Sequence, residues 1–146
     1  MKRKKWLLGS ILTMAIVMSL SVPALANNQE SRSSSDSTFP SPFIGYAITS
    51  GYKTGLREKE NDSYHYIKNT SGFNLWVISE GYPGYKNVTN GGHAIVPNGE
   101  YFITNFVSEK GYSKCRLNIT TASSGTSGYL TGAWSPDSVG SYPVVN

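Results

Sequence analysis

The sequence predicts an all-β fold, and three observations carry that prediction. Beyond residue 26 the apolar residues come in short runs of period two, separated by clusters of Gly, Pro, Asn and Ser. Tyrosine dominates the aromatics, with 10 Tyr against 5 Phe and 3 Trp, and 15 glycines accompany them. That composition suits pleated strands and tight turns. No amphipathic run of helical length follows the first 26 residues. Seven such runs within roughly 95 residues predict two packed antiparallel sheets, a β-sandwich of about seven strands, with a small closed barrel as the alternative.

The start of the chain is of a different kind. Lys2, Arg3, Lys4 and Lys5 form a charged head, and an apolar run extends from Trp6 to Leu20. Pro23 breaks it, and Ala24 and Ala26 place small residues at the two positions a signal peptidase pocket reads. This is the three-part pattern of a helical secretory signal peptide over residues 1–26. The run is shorter than the roughly 20 residues that cross a bilayer comfortably. Cleavage is expected between Ala26 and Asn27, leaving no retained membrane span and a secreted mature chain. Residues 27–42, with Ser31, Ser33, Ser34, Ser35 and Ser37, read as a flexible leader. The sandwich is expected over 43–138 and a C-terminal tail over 139–146.

Cleavage also changes the charge. The whole chain carries 13 Lys and Arg against 9 Asp and Glu, a net charge of +4. Four of the basic residues lie in the signal and none of the acidic ones do, so the mature chain is neutral. Nucleic-acid binding needs clustered cations facing phosphates, and no nucleic-acid partner is expected. Cys115 stands alone, so no intramolecular disulfide is possible.

The strands are predicted in order. Residues 43–49 alternate, with Ile44, Tyr46 and Ile48 on one face. Residues 55–62 form a charged connection. Residues 64–68 and 73–79 flank Asn69, Thr70, Ser71 and Gly72, read as a four-residue hairpin loop. In the second of these runs Phe73, Leu75 and Val77 share one face, and Asn74, Trp76, Ile78 and Glu80 share the other. Residues 81–92 are irregular and 93–96 form a short strand. Pro97, Asn98 and Gly99 make a turn before a strand at 100–107. After a turn at 108–111, Cys115, Leu117 and Ile119 alternate with Lys114, Arg116, Asn118 and Thr120, apolar inward and polar outward. A loop at 123–128 precedes the last strand, 129–134, which Pro136 ends. Short turns across 100–134 predict an antiparallel meander.

Few residues offer chemistry. A Ser-His-Asp arrangement needs His65 or His93 as base, and no Gly-x-Ser-x-Gly elbow is present. Cys115 with His93 is a conceivable nucleophile pair, but Cys115 falls on the inward face. Glu58, Glu60 and Asp62 could present oxygens to calcium, yet Arg57 and Lys59 neutralise that run and favour a solvated loop. Two His and one Cys, far apart, do not make a zinc site. No carboxylate spacing singles out a glycosidase pair. No catalytic residue, cofactor or metal is therefore expected. The candidate ligand-binding residues are aromatic: Trp76, Tyr82, Tyr85 and Trp134. Flat rings beside amides stack on sugars or anchor a protein partner. Against that stands the reading of both tryptophans as core residues.

Three stretches carry a resemblance: the segment from Lys4 to Ser10, Cys115-Arg116-Leu117, and the segment from Gly132 to Ser138. They resemble an uncharacterised family of small secreted proteins from Gram-positive bacteria. The resemblance implies a secreted, β-rich protein and implies no reaction. The expected function is a secreted non-enzymatic protein that binds a cell-wall glycan or an envelope or extracellular protein partner. A bacteriocin-like antagonist and a small extracellular hydrolase are the alternatives. The antagonist requires a dedicated exporter and an immunity protein. The hydrolase requires a histidine bonded to a hydroxyl, thiol or carboxylate in a cleft.

Overall fold

The computed structural model describes residues 34–146. The signal-peptide expectation, with Ala24, Ala26 and Asn27, lies outside the described residues, as does the start of the leader. The described chain is all-β. Its strands are β1 (Ser37–Thr38), β2 (Phe43–Ile44), β3 (Tyr52–Lys53), β4 (Arg57–Glu58), β5 (His65–Asn69), β6 (Leu75–Tyr82) and β7 (Lys86–Asn87). They continue as β8 (Ala94–Val96), β9 (Gly99–Ile103), β10 (Lys114–Thr121), β11 (Gly128–Tyr129), β12 (Gly132–Ser135) and β13 (Val144–Val145).

One sheet runs β1-β12-β5-β9-β13. A second runs β3-β10-β6-β7, with β4 also on β10 and β8 also on β6, and β2 pairs β11 separately. All pairings are antiparallel except β13 on β9. No closed barrel forms among the described residues. The spine of the second sheet is the eight-residue pair β6 and β10, in register from Leu75 opposite Thr121 to Tyr82 opposite Lys114. Period-two alternation sends Leu75, Val77 and Ser79 inward, each fully buried, along with Cys115, Leu117 and Ile119. Apart from the polar Ser79, they share one core with Ile67, Ile103 and Trp134 of the first sheet and with Val88, Val96, Val107 and Leu130. Each such apolar side chain contributes about 1.5–3 kcal/mol on burial.

The connections differ from expectation. β5 bonds to β12 and β9, while β6 bonds to β10, β7 and β8. Residues 69–72 are therefore an arch from one sheet to the other, not a hairpin. Asn69 holds that arch, donating from Nδ2 to the Phe73 and Val96 carbonyls at 2.9 and 3.0 Å. β9, β10 and β12 likewise alternate between sheets, so 100–134 is not a meander. The run at 43–49 is a strand only at its start. After Ile44 the chain leaves the core, and Tyr46 and Ile48 are 55% and 64% exposed.

The flanks also carry structure. β1 pairs β12 and Phe39 is 3% exposed, so the fold begins inside the expected 27–42 leader. β13 pairs β9 within the expected 139–146 tail. The expected seven strands become six of three or more residues, joined by several two-residue pairings. Two-residue pairings carry no readable alternation, and sequence periodicity misses them.

Candidate functional site

The outward residues of β6 and β10 lie opposite one another: Trp76 with Thr120, Ile78 with Asn118, Glu80 with Arg116. Residues 45–50 fold over one end of this face. The Thr121 N–H donates to the Gly45 carbonyl at 3.0 Å, and the Gly45 N–H to the Ser50 carbonyl at 3.2 Å. Ser50 Oγ closes the loop on the Ala47 carbonyl at 2.7 Å, beside a short 3₁₀ turn at Ile48–Ser50. Gly51 brings the chain back against β10. A Cβ there would sit 2.9 Å from Thr120 Cγ2 and 3.1 Å from the Ile119 carbonyl oxygen, so a side chain would lift the loop off the sheet.

Between loop and sheet lies a groove of about 410 Å³. Tyr46, Ala47 and Ile48 line it from the loop, and Trp76, Ile78, Asn118 and Thr120 from the strands. Trp76 is half-buried, and its indole stacks on His93 with centroids 3.4 Å apart and planes 7° apart. That stack fixes the plane in which the ring borders the groove. Asn118 is 4% exposed. Its Nδ2 donates to Glu80 Oε1 at 3.2 Å, and a carboxylate only accepts, so the amide orientation follows. The other end, Oδ1, is buried without a hydrogen-bond partner. A buried amide oxygen left unpaired is costly, and here it belongs to a residue that lines the groove.

Glu80 also receives Arg116 Nε at 2.7 Å, and the Arg116 guanidinium carbon lies 3.6 Å from the centre of the Tyr85 ring. Tyr82 and Tyr85 are each 40% exposed and tilt together at 5.6 Å. They stand on the same sheet face as Trp76 but at its far end, about 20 Å along the strand at the usual rise. Neither lines the groove.

Trp134 does not join them. It is 1% exposed in the core, edge-on to His65 at 5.8 Å, and its place as a ligand-binding candidate is corrected to a core residue. The reason is position: β12 lies between β1 and β5, and its last three residues are all buried.

The buried polar groups make a second cluster. His65 Nδ1 lies 2.7 Å from the Pro136 carbonyl, which only accepts, so Nδ1 carries the proton and Nε2 accepts from Ser79 Oγ at 2.7 Å. A hydroxyl bonded to a neutral imidazole is the geometry of an activated nucleophile. Both residues are 0% exposed, so no cleft reaches them. Burial, with the charge of Lys59 second, pushes the His65 imidazole down to about 3. Burial pushes the Cys115 thiol up to about 12, and His93 is on Trp76 rather than beside it. Glu58 is engaged by Lys114 Nζ at 3.2 Å. Among the described residues no three His, Cys, Asp or Glu side chains converge as metal ligands.

Residues 22–138 match the family model described as a protein of unknown function, DUF2712. The chain belongs to the DUF2712 family. No curated protein and no solved structure is significantly similar to it. The groove and the buried cluster both lie within the matched residues.

Sequence reasoning missed Tyr46, Ile48, His93 and Asn118 as parts of the site. For Asn118 a signal existed, since pairing the two best alternating strands sets it beside Ile78. For Tyr46 and Ile48 the alternation with Ile44 pointed toward the core instead.

Proposed function

We propose that this is a secreted, non-enzymatic binding protein that holds a cell-envelope glycan in the groove between residues 45–50 and the β6–β10 face. The observation that carries this is Trp76, set in plane by His93, on a groove that Asn118 also lines, with the Asn118 Oδ1 a buried acceptor without a partner. A sugar ring supplies a flat C–H face for an indole and hydroxyl donors for an amide oxygen. Tyr46 and Ile48, exposed at the rim, supply further apolar contact, and exposed apolar groups gathered at one place mark binding surfaces.

The test is pull-down on insoluble cell-wall and soluble glycan preparations. Wild type is retained. Trp76→Ala keeps its far-ultraviolet spectrum and binds about 30-fold more weakly, as for loss of a central aromatic anchor worth about 2 kcal/mol. Tyr129→Ala, on an aromatic 63% exposed that does not line the groove, binds as wild type. No glycan retention of wild type, or equal retention of the folded Trp76→Ala, overturns the reading.

A further inference from the structure

Away from the groove, the segment after β4 meets the segment after β12. Lys59 Nζ and Asp137 Oδ1 are in direct contact, with side chains 0% and 1% exposed, between residues 78 apart in sequence. The Glu60 N–H donates to Asp137 Oδ2 at 2.8 Å. Ser63 Oγ donates to Oδ1 at 3.3 Å, and Lys59 Nζ also donates to the Ser63 carbonyl at 2.6 Å. We propose that Lys59 and Asp137 condense into an intramolecular isopeptide bond that ties the two sheets together.

The chemistry balances within the cluster. Proton transfer from the ammonium to Oδ1 turns the ion pair into an amine and a carboxylic acid. Burial favours that neutral pair, because it lowers the Lys59 pKa, although the contact with Asp137 opposes the shift. The Nζ lone pair then attacks Cγ and a C–N bond forms. The Glu60 N–H stabilises the negative charge that develops on Oδ2. One proton passes from Nζ to the Oδ1 hydroxyl, directly or through Ser63 Oγ, and the Cγ–Oδ1 bond breaks as water leaves. The products are one amide and one water, with no oxidant, reductant or co-reactant.

The amide also removes a liability. Two charges buried in an apolar interior repay their desolvation only with excellent partners, whereas a neutral amide keeps the Glu60 contact and loses both charges. The bond would join the strand partner of β10 to the strand partner of β5. It would enclose most of the described domain in one covalent loop, in a chain whose single cysteine cannot form an intramolecular disulfide.

Intact-mass measurement on the purified protein, with its N-terminus determined by sequencing, tests this. The expected mass lies one water below that calculated from the sequence between that N-terminus and Asn146. Tryptic digestion is expected to spare Lys59 and to release a branched peptide that joins the Lys59 and Asp137 segments. Lys59→Arg and Asp137→Ala are expected to show the full sequence mass. An unreduced wild-type mass overturns the proposal. So does a water loss that persists in Lys59→Arg, or one found in a linear peptide, which marks a succinimide at Asp137–Ser138 instead. The wild-type measurement decides the question whether or not the variants fold.

Discussion

At His65 two neighbours settle the protonation state. The Pro136 carbonyl takes the Nδ1 proton and Ser79 gives one to Nε2, so the ring is filled while neutral. Burial is the main cause that disfavours a charge on the ring. The folded imidazole titrates near 3, while an unfolded one titrates near 6.5. Between those values the unfolded chain binds the extra proton, so stability falls as pH drops through that window and is untouched by this group above it. The loss is on the order of a few kcal/mol by pH 4. Urea unfolding from pH 8 to pH 4 should show it, with a shallower slope in His65→Gln; equal slopes would remove His65 as the cause. The two tryptophans make the same point about surroundings. Period two placed Trp76 on the outward face and the structure agrees. No such pattern told that Trp134, on a strand covered on both faces, is core.

At the scale of elements, β6 and β10 were legible because eight residues give alternation room to repeat. Leu75, Val77, Cys115, Leu117 and Ile119 point inward as the sequence named them, and the equally buried Ser79 and Thr121 extend the same faces. Asn118 and Thr120 depart from the pattern, since they are outward yet buried at 4% and 7%, covered by a loop that reads locally as strand. Turn residues signalled reversals at 69–72 and 108–111 correctly. They could not signal which sheet the chain enters next, because a glycine with positive φ, as at Gly72 and Gly111, reverses the chain without fixing its next strand partner. One glycine does more than turn. Gly132, at φ +130°, begins β12 where a Cβ would lie 1.9 Å from the Lys68 carbonyl oxygen of β5. Gly132→Ala should cost at least about 1–3 kcal/mol from its backbone conformation alone, and more as β5 and β12 part. Urea midpoints would measure it, and an unchanged midpoint would mean that the two strands do not approach so closely.

For the molecule as a whole, the proposed export can be tested through its charge and its N-terminus. Four of the basic residues sit at 2–5 with no acidic residue before 27, so cleavage after Ala26, as proposed, would leave a chain of zero net charge. N-terminal sequencing of protein recovered from the culture medium should begin at Asn27, and a cell-retained chain that keeps Met1 would refute export by this signal. The all-β class and the inward faces of the two long strands were written in the sequence, because both follow from backbone geometry repeated every two residues. The chain's own order could not decide the rest. The arches between sheets, the burial of Trp134, the groove under residues 45–50 and the meeting of Lys59 with Asp137 all join residues distant in sequence. Such contacts are selected by the packing of one whole sheet on the other, which no local window of residues contains.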